Sequence, residues 1–298
     1  MILRITICFQ TLQSHFIKKD GERMEYASIK PKRRTKIRIL LGKFFYRSKR
    51  RLYWIFGDIK FATTRDSIPY RYTYFRHSTP LLRQLKDVDM YLQHNKIENL
   101  KIAVNKVNEV IVKPGETFSY WKLIGKPTKR KGYKEGMILF NGTVKEGIGG
   151  GLCQLSNLIY WMTIHTPLTV IERYRHSYDV FPDSNRILPF GSGATCVYNY
   201  RDLMIRNDTK TPVQLKIWLD DSMLYGCWRT NVKLIETYKV YEKEHYMKRE
   251  LFGKYSRHNK IYRKIFDMEG KEIADEYVTE NHALMMYEPY LEDKARYQ

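Results

Sequence analysis

Acidic residues are scarce: 32 Asp and Glu stand against 53 Lys and Arg in 298 residues, a formal net charge of +21. Such an excess implies an anionic partner, whether nucleic acid, anionic lipid or an acidic polymer such as cell wall. Cysteine is scarce too. Cys8, Cys153, Cys196 and Cys227 are far apart and form no C-x-x-C pair. That argues against a zinc site or a redox dithiol, and so few thiols in so long a chain do not suggest a disulfide framework. No apolar run reaches the roughly 18 residues of a membrane-spanning helix. The opening MILRITICFQTLQSHF is interrupted by Arg4 and Gln10 and is followed by no small-residue cleavage site, so it does not read as a secretory signal. The expectation is a cytoplasmic protein, or one peripheral at the membrane face, with extracellular action left open. The phosphate-cradling patterns GxxxxGK[ST] and GxGxxG are missing, as is any internal repeat. No metal and no cofactor is expected.

What is present is a chain able to bury a core: 43% hydrophobic residues, 24 tyrosines and 5 tryptophans. Four regions follow from composition: a basic arm (1–50), a partly helical lead-in (51–98), a denser segment (99–230) and a charged, β-rich extension (231–298). Residues 30–51 hold eleven basic side chains and no acidic one, with Ile37, Leu40, Leu41, Phe44 and Phe45 at helical spacing. This pattern fits a basic amphipathic helix on an anionic membrane. It equally fits a solvated arm or a helix packed on the domain by that stripe. No nucleic-acid recognition module accompanies the charge, so nucleic acid is an unlikely partner.

Further along, residues 81–95 read as a helix and residues 101–112 as one or two elements. GYKEGMILFNGTV reads as a hairpin around Asn141-Gly142. LTVIERY, ATCVYNY and DLMIRN read as strands. Val213, Leu215, Ile217 and Leu219 alternate before the Asp220-Asp221 turn and the return MLYGCW. IYRKIFDMEGKEIADEYV gives one more hairpin. The fold class is α+β, a mainly antiparallel sheet packed with a few helices.

Three glycines, Gly149 to Gly151, stand just before Cys153 at the start of a helix over 152–165. On that helix Leu155, Leu158, Ile159 and Met162 share one face, while Cys153 shares the other with Ser156, Asn157 and Tyr160. A helix N-terminus stabilises a thiolate. Backbone N–H groups at Gly150, Gly151 and Gln154 could receive the oxyanion of acyl transfer. The alternative is a small packing cysteine beside a tight turn. A cysteine nucleophile needs a base. His165, about 18 Å along the same helix, cannot serve. His176 can, because a strand running back from Pro167 returns it toward the helix start. Tyr178 or Asp179 could orient it, and Thr195 joins Ser156, Tyr160 and Tyr178 as a residue lining the site.

PGETFSYWKLIGKPTKRKGY, GGGLCQLSNLIYW, ERYRHSYDV and PFGSGATCVYNYRDLMIRN, in this order over residues 99–230, resemble the VanW family. The family takes its name from an accessory protein of vancomycin-resistance clusters. The resemblance implies a VanW-like domain acting on peptidoglycan stem peptides or lipid-linked precursors. It further implies, as in exported relatives that are L,D-transpeptidases, that Cys153 attacks the stem amide and His176 moves the proton. A noncatalytic binding module of the cell envelope or membrane surface is the other implied role. Two positions depart from the common family pattern: Asn157 stands where many relatives have threonine, and Gly193 where many have aspartate.

Overall fold

A computed structural model of the protein describes residues 35–82, 89–140, 142–180 and 188–288. Residues 1–34, with Cys8 and the first part of the basic arm, lie outside the described residues, as do 83–88 of the helix expected at 81–95. In chain order the elements are helix α1 (Lys36–Phe56), strand β1 (Tyr72–Pro80), helix α2 (Met90–Val107), strands β2 (Ile111–Val112) and β3 (Thr117–Ser119), helix α3 (Tyr120–Ile124), strands β4 (Glu135–Phe140) and β5 (Thr143–Ile148), and helix α4 (Cys153–Thr163). Then come strands β6 (Thr169–Glu172), β7 (Tyr178–Asp179), β8 (Met204–Arg206), β9 (Val213–Leu219), β10 (Met223–Thr230), β11 (Glu236–Arg249), β12 (Tyr255–Asp267) and β13 (Glu272–Met285).

The strands form sheets ordered β1-β10-β9-β2, β3-β8-β6, β4-β5 and β11-β12-β13-β7. Every named pair is antiparallel except β13 with β7. The fold is therefore α+β and mainly antiparallel, as the pattern of short alternating segments requires. The alternation Val213, Leu215, Ile217 sets the register of β9, because a shift by one residue would turn all three from the core to solvent; all three are buried.

α4 lies across β1 and β10. Its Leu155, Leu158, Ile159 and Met162 are buried, and Met162 packs over Gly226 on β10, where any Cβ would come within 2.7 Å of its methyl carbon. Trp228 is fully buried beneath; its indole donates to Thr163 Oγ1 at 3.0 Å and meets Phe118 edge to face at 6.3 Å. The opposite side of α4 is also covered, since Ser156, Tyr160 and Trp161 are buried. Such two-sided burial explains why the helix has little polar surface.

Two expectations change. ATCVYNY (194–200) is no strand. Its groups bond to α4 side chains and to Tyr174, and only Val197 and Arg201 form a bridge. Likewise, the charged region 231–285 holds three long strands rather than one hairpin, because β11 pairs with β12 along nearly its whole length.

α1 shows an inversion of ordinary helix packing. Its polar side faces the domain. Arg50 reaches both carboxylate oxygens of Glu172, Arg47 donates to the Tyr198 carbonyl at 3.2 Å, and Asn199 donates to the Arg47 carbonyl at 3.3 Å. Ile37, Leu40, Leu41, Phe44, Phe45, Ile55 and Phe56 are exposed. The reading in which the apolar stripe packs on the domain is thereby overturned. Among the described residues, no helix is long and apolar enough to cross a membrane.

Candidate functional site

The turn before α4 is built by its glycines. Gly149 and Gly151 have φ of +75° and +86°, a region that residues with a Cβ avoid. Gly150 needs its bareness for another reason. A Cβ there would stand 2.1 Å from the backbone of Gly136 on β4. The glycine run therefore lets the turn cross the β4–β5 hairpin at backbone contact. Asn99 ties the crossing together, its amide donating to the carbonyls of Gly150 and Lys134. Gln154 fixes the other side, donating to Thr79 Oγ1 at 2.9 Å and the Pro80 carbonyl at 2.8 Å.

The turn uses most of the donors expected to hold an oxyanion. The N–H groups of Gly150, Gly151 and Gln154 donate to the carbonyls of Gly147, Met137 and Gly151. Among the described residues, the N–H groups of Leu152 and Cys153 have no acceptor. They are the orphan donors of the helix start, and that of Cys153 is next to the sulfur.

Cys153 is half-buried, and its sulfur accepts from the backbone N–H of Cys196. Burial nonetheless pushes the Cys153 thiol above its ordinary range, outweighing that donor. At neutral pH the resting group is a thiol. Beneath it Tyr120 is fully buried and donates to the Leu152 carbonyl at 2.9 Å.

Residues 193–196 cross this site between α4 and the chain leading to His176. On one side Ser156 donates to the Ala194 carbonyl at 2.7 Å and Asn157 Oδ1 accepts from Ala194 N–H at 2.8 Å. On the other, Thr195 N–H donates to the Tyr174 carbonyl at 2.7 Å. The two departures from the family pattern belong together here. A Cβ at Gly193 would lie 2.5 Å from Asn157 Oδ1, so the Asn157 side chain fills the space a residue at 193 would take. Thr195 Oγ1 is buried with no hydrogen-bond partner.

His176 lies between β6 and β7, half-buried. Burial, with the Arg201 charge added, lowers its pKa to about 4, so it is neutral and able to accept a proton at pH 7. Among the described residues no hydrogen bond joins it to Cys153 or to any other group. Asp179 instead pairs with Arg257 at 3.6 Å and accepts from Tyr287 at 2.9 Å. Tyr160 stacks under the Arg173 guanidinium at 4.6 Å. Tyr178 sits by the β4–β5 turn, near Gly142. His165 stacks on Phe75 and bonds to the Trp161 carbonyl. No cluster among the described residues is suited to hold a metal ion.

Sequence reasoning missed Asp202. It is fully buried, accepts from Ser119 Oγ at 2.5 Å and from the N–H groups of Trp121 and Leu203 at 2.9 Å each. The only trace in the sequence is an acid inside an aromatic and apolar run.

The buried histidines set a pH dependence. Burial is the main cause that lowers His165, His176 and His258 to about 4 each. The unfolded chain takes up these protons near the ordinary histidine value of 6.5. The stability they confer is therefore complete above 6.5 and is lost as pH falls toward 4. Asp202 acts oppositely. Burial raises it from 3.8 to about 7, so its contribution is full below 3.8 and is lost as pH rises through 7. Three sites outweigh one, and the melting temperature is expected to fall between pH 7 and pH 4.5. Calorimetry across that range checks this; a flat or rising melting temperature would count against it.

A family model described as VanW like protein matches residues 95–229, the stretch from α2 to β10 that holds Cys153, His176 and Thr195. Through this segment the chain is similar to the VanW family. It is 38% identical over 171 residues to the Vancomycin B-type resistance protein VanW of Enterococcus faecalis, covering 57% of this chain and 62% of that protein. It is 29% identical over 122 residues to Uncharacterized protein YoaR of Bacillus subtilis, covering 41% of this chain and 39% of that one. The chain thus spans less than two thirds of the length of either relative. No solved structure matches. α1 and strands β11, β12 and β13 lie outside the VanW match.

Proposed function

We propose that this protein is an accessory factor of glycopeptide resistance that acts on peptidoglycan stem peptides, or on their lipid-linked precursors, by acyl transfer at Cys153. The observation that carries this is the pairing of the Cys153 sulfur with the acceptor-free N–H of the same residue at the head of α4. A nucleophile and an oxyanion donor are thus fixed on one rigid element. The named resistance relative supports the biological setting.

In this reading substrate binding brings the neutral His176 imidazole to the thiol. The imidazole takes the proton, and the sulfur attacks a stem amide carbonyl. The N–H groups of Cys153 and Leu152 receive the oxyanion. His176 then returns its proton to the departing D-amino acid amine as the C–N bond breaks, leaving a thioester. The amine of a second stem attacks the thioester, loses its proton to His176 and restores the thiol. The buried Thr195 hydroxyl is a donor or acceptor for the bound stem.

A second reading has its own observation. The raised Cys153 pKa and the missing bond to His176 fit a binding module without catalysis. Muropeptide mass analysis of cells with wild type, Cys153→Ala or neither separates the two. New 3→3 cross-links or trimmed stems with wild type alone support acyl transfer. Three identical profiles, with both proteins present and folded, support the binding module.

A further inference from the structure

α1 is attached to the domain the wrong way round for a helix that serves the core. An amphipathic helix on a globular domain ordinarily turns its apolar stripe inward. Here the inward side carries Arg47 and Arg50, each bonded to the domain, and Lys122 donates to the Trp54 carbonyl at 3.3 Å near the other end. The helix is held at several points by polar anchors. Its opposite side presents Leu41, Phe44, Phe45, Ile55 and Phe56, each at least 60% exposed. At 100° per residue these five fall within one arc centred opposite Arg50. The arc is flanked by Arg38 on one border and Arg51 on the other, both exposed.

We propose that this face of α1 is an in-plane membrane anchor that docks on an anionic lipid surface. Charge complementarity selects that occupant. The helix has no acidic residue over 21 positions, and the whole chain carries +21. Basic side chains bordering an aromatic and aliphatic stripe are placed to meet lipid phosphates while the stripe enters the acyl boundary. A second copy of this chain would bring the same basic borders together and repel. Nucleic acid would leave the phenylalanines and leucines without a partner. α1 lies outside the VanW match, so the anchor is separate from the segment that holds Cys153.

The test uses the full chain in vesicle flotation. Phosphatidylcholine vesicles with 30 mol% phosphatidylglycerol are compared with pure phosphatidylcholine, a composition chosen as about that of a moderately anionic surface. The wild type is expected to float with the anionic vesicles and not with the neutral ones. The triple variant Leu41→Ser/Phe44→Ser/Phe45→Ser keeps every charge and alters only exposed positions. It should float with at least roughly tenfold lower partition and an unchanged melting temperature, because apolar insertion is the larger part of such binding. Cys153→Ala should bind like wild type, which separates this proposal from the one on acyl transfer. Equal partition of wild type and triple variant would overturn the proposal, since binding would then rest on charge elsewhere. So would failure of the wild type to bind either vesicle. A triple variant that changes only from dimer to monomer in size-exclusion chromatography would also overturn it, by showing that another copy covers the face.

Discussion

Gly150→Ala is expected to cost roughly 3–5 kcal/mol and to leave little folded protein, a penalty at the upper end of what overpacking produces. The new Cβ would stand 2.1 Å from the carbonyl carbon and oxygen of Gly136. Both partners are backbone, so no side chain can rotate away. Relief would require the turn to lift off the β4–β5 hairpin. That would break the Gly151 N–H bond to the Met137 carbonyl and the Asn99 bond to the Gly150 carbonyl. Gly115→Ala is the matched control. Its φ is +76°, but nothing lies within 4 Å of the added methyl, so only the conformational cost of about 1 kcal/mol applies. Thermal melts of both variants check the contrast. Equal, small losses would mean that the turn is not pinned at Gly136. The result also bears on how activity loss at these glycines is interpreted: Gly150→Ala would lose function by losing the fold, whatever Cys153 does.

Asp202→Ala is expected to cost on the order of 4 kcal/mol, while Asp202→Asn should cost less than half as much. The carboxylate accepts from the N–H groups of Trp121 and Leu203 and from the Ser119 hydroxyl. Removing it strands two buried N–H donors and one hydroxyl, each worth about 1–3 kcal/mol when left unpaired. Asparagine keeps the oxygen that faces the two N–H groups and turns its amide toward Ser119 Oγ, which can accept. It also removes a group that burial holds near pH 7 and whose ionisation opposes the histidines, so the asparagine variant should gain more stability between pH 5 and pH 8 than the wild type. Chemical denaturation at the two pH values measures both effects. An alanine variant as stable as asparagine would show that the network contributes little.

α4 and the β9–β10 hairpin were legible because their signals are local: a 3.6-residue stripe in one and strict alternation in the other. Cys153 at the head of α4 followed from the same stripe. What could not be read depends on distant groups. Residues 194–200 have the composition of a strand, yet Ser156, Asn157 and Tyr174 supply their partners. The direction in which α1 faces is fixed by Glu172, 122 residues away. Its stripe was visible, but which side met the domain was not. β11 escaped notice because charged residues recur along its solvent face, and its pairing with β12 is what makes it a strand. The placement of His176 rested on a helix out and a strand back, and the structure does have β6 following α4. The absence of a bond from His176 to Cys153 could be seen only in the fold.

Strands outside the VanW match hold part of the site in place. Arg173, just after β6, donates to the carbonyls of Gly191 and Gly193, and also to Thr279 and Asn281 on β13. Asn259 on β12 donates to the Phe190 carbonyl at 2.6 Å. On the other flank, β1 pairs with β10 from Tyr72 to Pro80. A fragment cut at the family boundaries would therefore bare one edge of β10, an invitation to aggregate. It would also release the clamp that steadies residues 188–196 over Cys153. Here strands outside the family match complete the architecture around Cys153.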